Sequence, residues 1–482
     1  MTGSGARSII INSSFLGIAK IIASLSRAFY VIAIAYFLGP QLYGAFAYGI
    51  SWYLYLLPIS MAGLRWVVPK EVGQHPENAP NLISSSLSLQ LASSTSFCLL
   101  SIAIALLIEP SSHMQLLIAI FSIALFSRGL ANWSNSVFIA LEDARIVLII
   151  ETAMRILEVI CGIALLYLGF GLLTLAILHA VIWSLQAAFS VYRVMQIRPF
   201  RLAPHNQLPQ AMALLKQGLP YAISPVFGSW MLQGPLLMYR HISGVSDALG
   251  QLSLALQAFT IIAMPLGEIG TAALPVLSRA IHRGDNNASI YIREILRYGW
   301  ILCGILLISS FTLGSDIIHL LFENRYSDAA RLLPWSLSLV ALYFFASSFH
   351  GLIGIHGHFK SVITSNLLGA AILTLSFPPL VSSFGSYGAL LSMGLGLAVS
   401  VTVQMSVLMR YHRLQLVESF FKPISGILVG ALLTRLTLEQ GAVLSFASGL
   451  IGMFLTWMAA GTLSFEAMRQ FWASLPRSNT RQ

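Results

Sequence analysis

Charge is what this sequence lacks. Only 9% of its 482 residues are Asp, Glu, Lys or Arg, against about 25% in a soluble domain. So few charges cannot cover a water-facing surface of this length, which excludes a soluble globular class and leaves lipid as the covering medium. Cysteine is also scarce. Cys98, Cys161 and Cys303 sit singly in apolar runs, which excludes a disulfide framework and a Cys-based metal site. Long polar connections are missing too: the longest, 196–211 and 275–291, leave no room for an extramembrane domain. There is no phosphate-cradling Gly loop of the P-loop type and no nucleophile motif. No catalytic residue, cofactor or enzymatic activity is therefore expected.

What is there is apolar. Hydrophobic residues make up 57% of the chain, and mean hydropathy is +0.80. About 20 apolar residues cross a bilayer as a helix. Fourteen runs qualify: 12–38, 42–66, 83–108, 115–140, 146–168, 172–195, 212–238, 248–274, 292–314, 330–354, 361–382, 387–409, 420–438 and 443–465. The fold class is an all-α polytopic membrane protein. The N-terminus has no small-residue cleavage site after a short apolar core, so it is expected to stay attached as the first span.

The net charge of +10 and pI of 9.6 would suit nucleic acid. The placement of the charge argues against that partner. With the N-terminus inside, 18 of the 27 basic residues fall in segments on the cytoplasmic side. Only Arg240, Arg325, Arg331 and Arg435 fall on the other. That asymmetry is the positive-inside signature, and it predicts both termini in the cytoplasm. Subtraction isolates Lys20, Arg27, Arg65, Arg128 and Arg155, all within the first five runs.

The chain also repeats itself. LGPQLYGAF (38–46) recurs loosely as SGVSDALGQL (243–252), with Gly44 matching Gly250. WVVPKEVGQHPEN (66–78) recurs as AALPVLSRAIHRGDN (272–286), LEDARIV (141–147) near HGHFKSV (356–362), and LGFGLL (168–173) as FGSYGAL (384–390). The order predicts two pseudo-symmetric six-helix lobes, 1–200 and 205–412, followed by 413–482 with two further helices and a cytoplasmic tail. Units with an even number of spans are related by an axis along the membrane normal, an arrangement typical of transporters.

Several of these stretches resemble one family: LGPQLYGAFAYGIS, AALPVLSRAIHRGDN, LLFENRYSDAARLLPW, IGIHGHFKSVIT and FGSYGALLSMGLGLAVS. They are similar, in order, to the polysaccharide-lipid (Wzx-type) flippases of the MATE/oligosaccharidyl-lipid/polysaccharide (MOP) transporter superfamily, over the first twelve runs. The resemblance implies a two-lobe fold in a bacterial inner membrane. It implies a substrate too: an anionic polyprenyl-diphosphate-linked oligosaccharide, an O-antigen or exopolysaccharide repeat unit, moved from the cytoplasmic to the periplasmic leaflet. It further implies a cationic cavity that takes the head group. The expected partners are the bilayer, the lipid-linked glycan and the polysaccharide polymerase or assembly machinery. Alternatives within the superfamily are a lipid II flippase and a cation-coupled multidrug exporter; from another class, a membrane glycan polymerase.

A charge near the bilayer centre costs about 2.5–3.5 kcal/mol or more, so each intramembrane cation needs a reason. Lys20 and Arg27 lie seven residues apart, on one helix face. Arg27 is mid-span, whereas Lys20 can also snorkel to the interface. Arg128 is central in its run and followed by Asn132, Ser134 and Asn135. Arg65 lies four residues before Pro69, where snorkelling and a role at the cavity mouth are both open. Arg155 has Glu151 at i−4 and Glu158 at i+3, a pattern that also fits a self-neutralised structural cluster. Glu268 is the candidate for ion coupling, with polar packing beside Gly267 and Gly270 as the alternative reading. His356 and His358 lack a carboxylate or Cys partner, so no metal site is expected. Interiors of the first four runs hold no Asp or Glu, which favours an anionic substrate over a cationic drug.

Overall fold

The computed structural model describes residues 3–197, 204–272, 278, 288–411 and 421–461. Within these, it describes all side chains but those of 3–21, 23, 204–207, 268–272, 288–291, 294, 295 and 298. Helices follow one another throughout: α1 (Gly3–Ser60), α2 (Leu64–Gln74), α3 (Ala79–Ile108), α4 (Ser112–Ala140), α5 (Ala144–Tyr167), α6 (Leu172–Ile197), α7 (Pro204–Ser243) and α8 (Asp247–Ala272). They continue with α9 (Ala288–Phe322), α10 (Ser327–Ile355), α11 (Phe359–Phe384), α12 (Ser386–Leu408), α13 (Lys422–Thr437) and α14 (Ala442–Ala459). Among the described residues, nine stretches are long and apolar enough to cross a membrane; Ser24–Gln74 and Gly299–Ile355 each take in more than one of the runs read from sequence. Outward-facing positions are apolar, as at Leu107, Leu320 and Val443, which suits lipid. The fold is an all-α polytopic membrane protein.

Backbone chemistry divides the first long helix. Pro40 has no N–H to donate, and Gly39 before it takes φ 73° and ψ 172°, so α1 kinks there. A second break follows at Ala62 (φ 50°) and Gly63 (φ 74°), which separates α2 from α1. The run 42–66 is therefore a helix that ends at Ser60, and Arg65 belongs to the next one.

The chain forms two compact units, 1–261 with 362–400, and 262–361 with 401–482. In the first, α1 packs on α5 and α7, and α4 on α3 and α6. Its core includes Trp133, Phe138, Val137 and Leu64. Glycines let helices meet backbone to backbone. A Cβ on Gly44 would lie 2.7 Å from the Gly250 nitrogen, and one on Gly250 would lie 1.9 Å from the Pro40 oxygen. Gly44 and Gly250 are also the positions matched between the two loosely similar sequence stretches. In the second unit, α13 and α14 cross at Gly430 and Gly449. The buried Trp457 indole there donates to the Pro423 carbonyl at 2.8 Å and packs with Ile308 and Met453.

Gly250→Ala is expected to destabilise by about 1–3 kcal/mol, because the new methyl meets backbone that cannot yield. Thermal unfolding of the detergent-purified protein reads this out. Gly73→Ala is the control: a Cβ there meets nothing within 4 Å, and alanine is the better helix former.

Candidate functional site

The site is assembled from one face each of α4, α5 and α6 and from both halves of α1. On α6, His179, Trp183 and Gln186 are spaced four and three residues apart and share a face. On α5, Glu151, Arg155, Glu158 and Gly162 do the same. Gly162 makes room for α1: a Cβ there would lie 2.3 Å from the Tyr30 ring. Arg27 precedes Tyr30 by one turn, so it enters the same region from the first half of α1. Tyr53 reaches it from the second half.

A continuous hydrogen-bond chain runs through these side chains. Arg128 Nη1 donates to the Tyr53 hydroxyl at 2.8 Å. The Tyr53 oxygen lies 3.0 Å from His179 Nε2, and Trp183 Nε1 donates to that same nitrogen at 3.1 Å. On the other side of the ring, His179 Nδ1 meets Glu158 Oε1. Arg155 Nη1 donates to Glu158 Oε2, and its Nη2 donates to Gln186 at 3.0 Å. The indole N–H requires a lone pair on Nε2, so the histidine is the neutral tautomer with its proton on Nδ1. Tyr53 and Trp183 then share the one Nε2 lone pair, and the Glu158 carboxylate accepts from both His179 and Arg155.

Aromatic faces hold the cations. The Trp183 ring has Arg155 Cζ at 4.0 Å and Arg128 Cζ at 4.6 Å from its centroid. Tyr53 is stacked on Phe121 at 5.8 Å. Cation–π contacts of desolvated guanidiniums contribute about 2 kcal/mol.

Positive charge is in excess here. Among the described residues, Glu158 is the one carboxylate bonded into the chain; Glu151, two turns away on α5, is bonded by Asn135 Nδ2 at 2.7 Å. Facing them are Arg128, Arg155 and Arg27. Arg27 interacts electrostatically with Arg128, Tyr53, Tyr43 and Glu158. Among the described residues it makes no hydrogen bond or ion pair. Arg128 Nε and Gln186 Nε2 are buried donors without partners among the described residues. Unused donors on cations that outnumber their carboxylates are what an incoming anion would satisfy.

The structure thus brings together Arg27, Arg128 and Arg155 of the residues singled out from sequence. Arg65 is exposed on α2, its guanidinium 5.8 Å from the neighbouring Trp66 ring, and takes no part in the chain of bonds. The side chains of Lys20 and Glu268 lie outside the described residues. Tyr53, His179, Trp183 and Gln186 are the members that sequence reading passed over; the spacing of the last three along an apolar run was the available signal. His356 and His358 pack on Tyr411, the first stacked at 4.7 Å and the second bonded to its hydroxyl. Among the described residues, no three His, Cys, Asp or Glu side chains gather as metal ligands would.

A family model described as "Polysaccharide biosynthesis protein" matches residues 9–281. No curated protein matches the chain. Among solved structures, it is similar to a lipid II flippase MurJ in an inward closed conformation, with a TM-score of 0.72 and 12% identity, covering 95% of this chain and 100% of that one. It is also similar to an inward-facing multidrug resistance MATE family transporter of the MOP superfamily, with a TM-score of 0.64 and 12% identity over 82% of this chain and 98% of that one. A MOP superfamily transporter from Pyrococcus furiosus gives a TM-score of 0.61 and 14% identity over 83% and 95%. This membrane protein belongs to the polysaccharide biosynthesis protein family and shares its fold with these solved structures.

Proposed function

We propose that the protein flips an anionic polyprenyl-diphosphate-linked oligosaccharide, an O-antigen or exopolysaccharide repeat unit, from the cytoplasmic to the periplasmic leaflet of a bacterial inner membrane. Both termini lie in the cytoplasm in this reading, and two six-helix lobes, 1–200 and 205–412, alternate access. The observation that carries it is the surplus of guanidinium groups within apolar helices: Arg27, without a bonded partner among the described residues, beside Arg128 with an unused Nε. A diphosphate loses its hydration on entering the membrane, and fixed cations offset that loss. Arginine suits the task because its planar fork takes two phosphate oxygens at once.

The sign of the site weighs against a cation-coupled drug exporter, whose cationic substrate would be repelled. The likeness to a lipid II flippase keeps that head group as the second reading, since it presents the same diphosphate. A glycan polymerase would need catalytic side chains and room outside the membrane, which the short connections do not supply.

The deciding experiment removes the gene and follows lipid-linked glycans in spheroplasts. Complete repeat units accumulating on the cytoplasmic leaflet are expected. Accumulated lipid II would move the assignment to the second reading. Single repeat units accumulating on the periplasmic side would overturn flipping in favour of polymerisation.

A further inference from the structure

A second buried charge pair lies away from this site. Glu109 follows the last residue of α3, and Arg240 lies in the last turn of α7. Arg240 Nη2 sits 3.1 Å from Glu109 Oε2, with side chains 9% and 0% exposed. The Tyr48 hydroxyl bonds Glu109 Oε1, and the Tyr48 ring lies 5.8 Å from Arg240 Cζ. Arg240 Nε is buried with no acceptor among the described residues.

The same end of the bundle carries the Gln41 amide donating to the Val245 carbonyl at 3.2 Å, and the Gly44–Gly250 contact. Gln41, Gly44 and Tyr48 of α1, with Glu109 after α3, thus all bear on the stretch from Arg240 to Gly250 that joins α7 to α8. The opposite end of α7 is held differently. There Gly63 and Gly218 meet backbone to backbone, and Ser85 bonds Gln210 at 2.8 Å. Among the described residues, a charge pair ties one end of α7 and neutral contacts tie the other.

Closure by charge makes opening dependent on a replacement partner. Two buried ions repay their desolvation only in each other's company, and separating them strands both. Water can take Glu109 at an open mouth. Arg240 already has a donor in excess, and an anion offering two oxygens would satisfy Nη2 and Nε together.

We propose that Arg240 is a second anion-binding residue, bonded to Glu109 while this end is closed and to the diphosphate of the lipid-linked glycan when it opens. The pair is a latch that the substrate itself releases. Under the topology proposed above, this is the periplasmic end. The inference rests on the diphosphate reading of the substrate.

The test uses the full chain with Cys98, Cys161 and Cys303 replaced by Ala. Gln233→Cys is the reporter, because it lies buried on the Arg240 face of α7, two turns deeper. The rate of its modification by a charged, membrane-impermeant thiosulfonate in proteoliposomes reports opening. Glu109→Gln is expected to raise that rate at least about tenfold, and the swap E109R/R240E to return it towards the parent value. Inorganic diphosphate is expected to raise the rate in the parent and not in Arg240→Ala. A swap as reactive as the single variant would overturn the latch. So would diphosphate that binds by calorimetry yet leaves the reporter unchanged. Failure of the diphosphate reading would look different: no diphosphate binding to the parent at all.

Discussion

Replacing Arg27 with Ala is expected to abolish glycan export while leaving the protein inserted and abundant. The two effects separate because of what Arg27 does and does not touch. Among the described residues it makes no hydrogen bond or ion pair, so its removal strands no partner. It is a cation in apolar surroundings with a like charge, Arg128, outweighing the more weakly felt Glu158, so losing it removes burial cost and repulsion together. Folding should therefore be neutral to the change. Transport should not be. A hydrogen bond to a charged group is worth about 1.5–3 kcal/mol, so two such bonds to a diphosphate make a loss of about 3 kcal/mol or more. At 1.36 kcal/mol per decade, export falls at least about a hundredfold. Lysine keeps the charge without the planar fork, and Arg27→Lys is expected to retain partial export. Arg65→Ala, on the exposed side of α2, is expected to export near the parent level. Surface polysaccharide normalised to membrane abundance decides the matter. A parent level of polysaccharide from an abundant Arg27→Ala protein would remove Arg27 from the binding path.

How far this was legible in the sequence depends on what each residue costs. Apolar runs announce themselves by length, and the Gly39–Pro40 break by the chemistry of proline. Arg27, Arg128 and Arg155 stand out because a guanidinium in a spanning helix is expensive enough to demand a purpose. His179, Trp183 and Gln186 are neutral and cheap by comparison, so they pass as ordinary members of an apolar run. Only their meeting with Tyr53, 126 residues from His179, gives them a role. Arg155 was legible as one half of an i,i+3 pair, but its i−4 carboxylate, Glu151, bonds to Asn135 instead. Hydropathy is blind to φ, so the positive values at Ala62 and Gly63 hid the break that sets Arg65 on its own helix. Glu109 stood just after the apolar run 83–108, and Arg240 read as one of four cations outside. Neither carried any sign of a partner 131 residues away.

Glu158→Ala is expected to be the most damaging single change to folding in this region. Glu158 is buried, 3% exposed, and both its carboxylate oxygens are used, one by Arg155 and one by His179. Without it, the Arg155 guanidinium stays packed on Trp183 with no counter-charge, and Nδ1–H of His179 has no acceptor. Breaking a buried pair from one side costs about 3–5 kcal/mol. Glutamine does not repair the loss. Its carbonyl can serve Arg155, but its amide then faces Nδ1–H, and flipping the imidazole tautomer turns Nε2–H against the Trp183 N–H. Both variants should therefore unfold early in detergent, with Glu158→Ala the worse. The discriminating variant is the double change E158A/R155M, which removes the stranded charge and replaces it with apolar volume. Such replacements are often neutral for stability, so the double variant is expected to recover most of the thermal midpoint lost by Glu158→Ala. Its export should stay low, because the His179–Tyr53 chain that orients Arg128 has lost its carboxylate anchor. A double variant no more stable than Glu158→Ala would mean that the carboxylate acts through packing or through His179 alone. A fully stable Glu158→Ala would mean that the three guanidiniums need no internal counter-charge, and Glu158 would not be what holds this cationic cluster together.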